Sequence, residues 1–480
     1  MTADIKPYPA YKDSGVPWLG QVPDHWTLLH GRACFREKKV VDAGMRQTTV
    51  LSLSYGQIVI KPVEKLHGLV PASFETYQVI DEGDIVVRPT DLQNDWNSLR
   101  FGLSSHRGII TSAYMCLSTL DTLTRNYGFL LLHAYDLKKV FYGLGSGLRQ
   151  NLDWGDFKYL PCVVPPVSEQ AAIVRYLDHA DRKVRHAIRA RQQLIKLLTE
   201  QKQAIINRAV TRGLDPTVRL KPSGVPWRGD VPEHWEILPL KRWVSTKITD
   251  GPHETPPLMD DGIPFMSAES MVGGRFDFGH RRGFISRELH EVYCRKCRPQ
   301  RDDIFMCKSG ATTGKVSIVE TDEEFSIWSP LALIRVSPQR ILPRLLFSVL
   351  QSSYVQRQVH DTWSYGTQPN LAMEAMERLV IGLPPVNEQH EILAHLEQET
   401  APLAEVIDRS HREIDLLREY RTRLIADVVT GKLDVRDVPV PADETDVLPE
   451  DVETIDDVDA ADQGDDATEE NSDSSSEERA

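Results

Sequence analysis

SGVPWLGQVPDHW (residues 14–26) returns 209 residues later as SGVPWRGDVPEHW (223–235). A second pair of motifs follows the same plan. PPVSEQ (165–170) opens a long run that ends in AVTRGL (209–214), and PPVNEQ (384–389) opens one that ends in VVTGKL (428–433). The chain is two units in tandem, each a variable stretch followed by a similar helical run. Duplication within one polypeptide supplies two similar but non-identical binding surfaces.

The stretches between the motifs share a grammar. VLSLSYGQIVI (50–60) alternates as a strand does, DEGDIVVRPT (81–90) is a turn leading into a buried strand, and GIITSAYMCL (108–117) is another strand. NYGFLLLHAYDLKKVFYGL (126–144) has helical spacing. The second unit repeats this with RDDIFMCKSG (301–310), FSIWSPLALIRV (325–336) and the helical RLLFSVLQSSYVQRQVH (344–360). Each unit is therefore expected to be α+β. Gly83 to Arg88 aligns with Asp302 to Cys307, and Gly147…Asn151-Leu152 with Gly366…Asn370-Leu371, all at the 219-residue offset of the PPV–EQ motifs.

In the first helical run, apolar residues recur at the spacing of a coiled-coil seam: Ile173, Leu177, Ala180, Val184, Ala187, Leu194, Leu198 and Ile205. The second places Ile392, Leu396, Leu403, Val406, Leu417, Tyr420 and Leu424 in the same phase. Residues 168–212 carry ten Lys/Arg against four Asp/Glu, whereas 387–432 carry six against ten. Opposite flanks favour pairing of the two helices with each other. A helix of this size spans roughly 60 Å at 1.5 Å per residue.

A chain of 480 residues is too long for one ordinary core. The net charge of −14 is uneven: residues 436–480 hold 18 Asp/Glu and two Arg, and the rest is nearly neutral. The acidic end buries too little apolar surface to offset its ordering entropy, so a disordered tail is expected. Six cysteines are too few for a disulfide framework, and no apolar run approaches a membrane span. A reduced, cytoplasmic protein is the expectation.

No motif supports catalysis. SGATTGKV (309–316) has three residues between Gly310 and Gly314 where a phosphate loop needs four, and Val316 stands where a hydroxyl should bind magnesium. Cys294 and Cys297 form a single CxxC near Cys307 and His290, without the second close pair of a zinc site. Asp302 and Asp303 begin a strand, where turn formation explains them. The loops instead suit binding. RPTDLQNDWNSLR (88–100) offers Arg88, Thr90, Asn94, Asn97 and Arg100, residue types that read base edges. ITDGPHETPP (248–257) offers Thr249, Asp250, His253 and Thr255, and KSGATTGK (308–315) offers Lys308, Ser309, Thr312, Thr313 and Lys315. The matched loops SGLRQN (146–151) and YGTQPN (365–370) add Arg149, Gln150 and Gln368.

Taken together, the doubled SGVPW-G-VP-HW and PPV-EQ motifs, TDGPHETP, KSGATTGK and GTQPNL make residues 12–435 resemble the specificity subunit of type I restriction–modification enzymes. The acidic tail has no counterpart in that family pattern. The resemblance implies α+β target recognition domains at 1–160 and 216–383 and conserved helices at 161–215 and 384–435, which form an antiparallel coiled coil with pseudo-two-fold symmetry. Residues 436–480 would be the tail. It implies double-stranded DNA as ligand, read as two unlike half-sites. It also implies two methyltransferase subunits and two restriction–translocation subunits as partners. S-adenosylmethionine, ATP and Mg2+ would be used by those partners, with no cofactor, metal or catalytic residue in this chain. The alternative is an orphan scaffold that binds methyltransferase subunits without reading DNA.

Overall fold

A computed structural model describes residues 5–44, 46–61, 74–145, 150–224, 229–365 and 369–441. The chain forms two compact units, Met1–Arg191 with Arg412–Ala480, and Gln192–His411. In the first, strand β1 spans Thr27–His30. Strands β2 (Phe35–Lys38), β3 (Ile85–Val87), β4 (Phe101–Leu103) and β5 (Met115–Thr119) form an antiparallel sheet in the order β2-β5-β3-β4. Strand β3 is apolar at every position because both of its faces are covered. Ile85 and Val87 join the main core, while Val86 packs with Leu51, Ile58, Ile80, Ile110 and Cys116 on the other side. Helix α1 (Arg125–Leu137) closes the main core with Tyr127, Leu131 and Tyr135. Gly128 permits its close approach, since a Cβ there would lie 2.6 Å from the Thr119 methyl. Strand β6 (Pro161–Val164) then returns to β1, pairing Cys162 with Leu29.

The second unit repeats the plan. Strand β7 (Glu236–Pro239) later pairs with the returning strand, and β8 (Thr249–Asp250), β9 (Ile304–Cys307), β10 (Val316–Ile318) and β11 (Leu331–Ile334) form a sheet in the order β8-β11-β9-β10. Its central strand alternates likewise: Ile304 and Met306 face one core, Phe305 and Cys307 another. Helix α3 (Pro343–Leu350) covers the first of these, and β12 (Val380–Leu383) closes onto β7. The turn into the central strand is matched as well. Gly83 has φ +89° and Asp302 has φ +70°. The buried aspartate after each binds a cation, Asp84 with Lys38 and Asp303 with Arg335. Turn and ion pair thus account for Asp302 and Asp303.

Helix α2 (Val167–Arg212) and helix α4 (Val386–Val429) each contribute to both units. In the first unit Asp181 meets Arg421 at 2.5 Å and Arg191 meets Glu413 at 2.5 Å, so the helices run antiparallel. Ile173, Tyr176 and Leu177 share the unit's core with Leu424, Ile425, Val428 and Val429. In the second, Ile206, Ala209 and Val210 share a core with Ile392 and Leu396. The helix ends are parts of the cores of the globular units. The seam holds at Ile173, Leu177, Val184, Ile392, Leu396 and Leu424, which are buried. Elsewhere it drifts: Ile188 and Ile206 are buried in place of Ala187 and Ile205, and Val406 is exposed. A straight helix turns by 3.6 residues, so a 3.5-residue pattern rotates off the contact line within a few heptads.

The segment around Lys6 meets the residues that follow α4 in the first unit, where Lys6 bridges Asp434. Val435 is buried, and Val438 and Val440 pack on the core, so packed structure continues past the expected tail boundary at 436. Residues 442–480, where the rest of the expected tail falls, lie outside the described residues. Among the described residues, no helix is long and apolar enough to cross a membrane.

Candidate nucleic-acid interface

The repeated motifs are a clamp built twice. Glu169, in the first turn of α2, accepts hydrogen bonds from the Trp26 indole at 3.0 Å and from the Tyr8 hydroxyl, and meets His25 Nε2 at 2.8 Å. Glu388, in the first turn of α4, accepts from the Trp235 indole at 3.0 Å and meets His234 Nε2 at 2.6 Å. The next residue is a second clamp. Gln170 accepts from the Thr124 N–H and donates to Thr122 and Pro165 carbonyls; Gln389 accepts from the Leu342 N–H and donates to Arg340 and Pro384 carbonyls. HW and EQ therefore recur because they fasten each globular unit to the start of a long helix. Burial and the Glu169 carboxylate together hold the Tyr8 phenol well above its ordinary value.

With each sheet fixed this way, the loop after its central strand takes the same course. The Leu152 N–H donates to the Pro89 carbonyl at 2.8 Å, and the Leu371 N–H donates to the Lys308 carbonyl at 2.7 Å. Two residues beyond each acceptor the backbone is left-handed, φ +62° at Asp91 and +97° at Gly310. Asp91 N–H then donates to the Asn151 side chain, and Gly310 N–H to the Pro369 carbonyl. The frame is common, but the side chains on it differ.

In the first unit the frame carries residues 88–100. Asn94 and Asn97 are exposed, Thr90 is half-buried, and Asn94 donates to Asp91 at 2.9 Å. Arg88 is partly exposed and pairs with Asp95 at 3.3 Å. Arg100 corrects the expectation. It is fully buried, and all five guanidinium N–H groups are used on the carbonyls of Arg88, Thr90, Asp91 and Asp95 and on the Tyr142 hydroxyl. No donor remains for a base; Arg100 shapes the loop. Gln150 is also turned inward, donating to the Tyr142 and Leu144 carbonyls at 2.9 Å each. Arg149 lies outside the described residues.

In the second unit three motif loops converge. Asp250 is buried and pairs with Lys296 at 2.5 Å, Lys308 at 3.0 Å and His253 at 3.3 Å. Burial raises its pKa, but the two ammonium groups outweigh this and hold it below the usual carboxylate range. Asp250, which the loop's composition offered for binding, is turned inward instead: it staples TDGPHETP to KSGATTGK. Thr313 is likewise buried, donating to the Gly310 and Pro369 carbonyls. Thr312 contacts the Cys307 thiol, and Ser309 and Thr249 are half-buried. His253, Thr255 and Lys315 are exposed. Gln368 lies outside the described residues. Cys297 and Cys307 are buried in an apolar cluster.

Sequence reading passed over Trp96, Lys139 and Lys296. Trp96 is half exposed in the first loop and stacks on Tyr142 with centroids 4.5 Å apart, while Lys139 lies over the same ring at 4.7 Å. A tryptophan inside the polar stretch NDWN was the available signal.

Residues 252–414 match the family described as the type I restriction modification DNA specificity domain. The MjaVIII type I restriction enzyme specificity subunit of Methanocaldococcus jannaschii is 20% identical over 368 residues, spanning 75% of this chain and 83% of that one. The EcoBI specificity subunit of Escherichia coli is 24% identical over 278 residues, spanning 56% and 58%. A solved structure from work on complex assembly and conformational transition of the type I R-M system shares the fold. Its TM-score is 0.58 at 16% identity, covering 86% of this chain and 99% of that chain.

Proposed function

The chain belongs to the specificity subunits of type I restriction–modification enzymes, and on that premise we propose that each unit reads one half of a split, asymmetric double-stranded DNA target. The observation that carries this reading is the shared loop frame. The Pro89 and Lys308 carbonyls receive equivalent N–H groups, yet TDLQNDWNSLR follows the first and SGATTGK the second. One frame with two sets of side chains grips a locally symmetric backbone in matching poses and reads different bases. Arg88, Thr90, Asn94, Asn97 and Trp96 face the first half-site. Thr249, His253, Thr255, Lys308, Ser309, Thr312 and Lys315 face the second.

In this reading the chain supplies an address and its partners supply the chemistry. Two methyltransferase subunits dock on it and bring S-adenosylmethionine. Two restriction–translocation subunits join through them and use ATP and Mg2+. An adenine must leave the stack to be methylated, and the two units hold the flanking bases while it does. The test is to co-express the chain with methyltransferase subunits and map modified adenines by long-read sequencing. A two-part motif with a fixed gap is expected, and exchanging residues 91–99 should rewrite one part only. A complex that assembles but marks no defined sequence would instead favour the orphan scaffold.

A further inference from the structure

The loop Trp328-Ser329-Pro330 is the hub of the second unit's candidate face. Ser329 N–H donates to the Pro252 carbonyl in TDGPHETP, and Lys308 N–H of KSGATTGK donates to the Pro330 carbonyl at 2.7 Å. Trp328 is itself anchored, its N–H bonding the Met266 carbonyl and its ring packing on the cluster of Ile263, Phe265 and Ile285. On this ring lies a residue of neither motif. The Arg282 guanidinium sits 4.1 Å from the indole centroid. Arg282 is exposed, and its backbone N–H is fixed on the Phe265 carbonyl at 2.9 Å. Among the described residues its side chain has no ion pair and no hydrogen bond.

We propose that Arg282 is a specificity-determining residue of the second half-site, with its guanidinium held over Trp328 so that its unpaired N–H groups meet a guanine in the major groove. This rests on the DNA-reading function above. The physical case is that of Arg100 reversed. Arg100 has spent all five guanidinium donors on the protein, whereas the Arg282 side chain spends none among the described residues and is held by its position over the Trp328 ring. Stacking costs no donor and removes rotamer freedom before binding, so the planar fork is presented for two parallel bonds to guanine O6 and N7. Adjacent Arg281 is the internal comparison. It lies over Phe284 at 4.4 Å, but spends a donor on the Phe278 carbonyl at 2.7 Å.

The experiment uses the full chain in complex with methyltransferase subunits, methylating a plasmid library randomised across both half-sites. Arg282→Ala should relax one base pair of the second half-site, with discrimination there falling about ten- to a hundredfold. The first half-site should be unchanged, which also shows that the variant is folded. Arg282→Lys should relax the same position, because a point charge cannot make the paired bonds. Trp328→Phe should keep most of the discrimination, and Arg281→Ala should leave the motif intact. A motif identical to wild type for Arg282→Ala would overturn the proposal. So would uniform weakening across all sequences, which marks a phosphate contact. A wild-type complex with no two-part motif would instead overturn the underlying DNA-reading function.

Discussion

Asp136 and His133 lie one turn apart on α1 and answer pH in opposite senses. Burial raises the Asp136 carboxyl to about 6. The folded state therefore prefers the neutral acid and loses stability as pH rises from the ordinary 3.8 to about 6, by up to about 3 kcal/mol. Burial, reinforced by Arg421, lowers His133 to about 4, so the fold loses stability as pH falls from 6.5 to about 4. In thermal unfolding between pH 4 and 7, Asp136→Asn should gain on wild type as pH rises and level off above 6. His133→Gln should gain as pH falls. Parallel curves for wild type and both variants would show that neither group is perturbed. The clamps give a second residue-scale expectation. Glu169 is 4% exposed with three partners, whereas the Glu388 side chain is 24% exposed with two. Glu169→Ala should cost about 2–4 kcal/mol and Glu388→Ala about 1–2 kcal/mol, read as unfolding midpoints.

At the scale of the element, the loop 88–100 is held by one buried cation. Arg100→Ala removes the partner of four carbonyls and takes a favourable charge away from buried Asp136, whose bond from the backbone N–H of residue 100 remains. We expect a loss of about 3–5 kcal/mol, faster proteolysis between residues 91 and 99, and loss of the first half-site alone. Equal loss of both half-sites would place Arg100 in a role shared by the two units. This element also shows the limit of reading composition. Arg88 and Arg100 look alike in RPTDLQNDWNSLR, yet one is partly exposed and the other has no free donor. That distinction depends in part on Tyr142, more than thirty residues away.

At the scale of the molecule, the first unit is assembled from two distant stretches of chain. Residues 5–13 and 430–441 meet there through Lys6 and Asp434, while the second unit runs through 213–222 without a break. Matched strand pairs, Tyr11 with Pro23 and Leu220 with Pro232, show that both solutions reach the same local structure. Joining Pro441 to Ile5 by a short flexible linker and opening the chain at Asp215–Thr217 should give a permutant that folds and marks the same sequence. Failure to fold would mean that the continuous connection is required. Four residues inserted in both long helices add roughly 6 Å. The gap between half-sites should then widen by about two base-pair steps with the half-sites themselves unchanged. An unaltered gap would show that the helices do not set it.

The sequence by itself determined the tandem plan, the α+β character of each unit, the starts of both long helices and the loops that form the candidate face. These are properties of periodicity and motif spacing, which are local and survive in one dimension. Only the tertiary structure decided which charged side chains are free. Arg100 and Asp250 are consumed internally, Arg282 is left with every side-chain donor open among the described residues, and Val406 turns away from a seam that its spacing predicts. The availability of a donor, or the face of a side chain late in a helix, is set by partners that the fold brings from elsewhere in the chain.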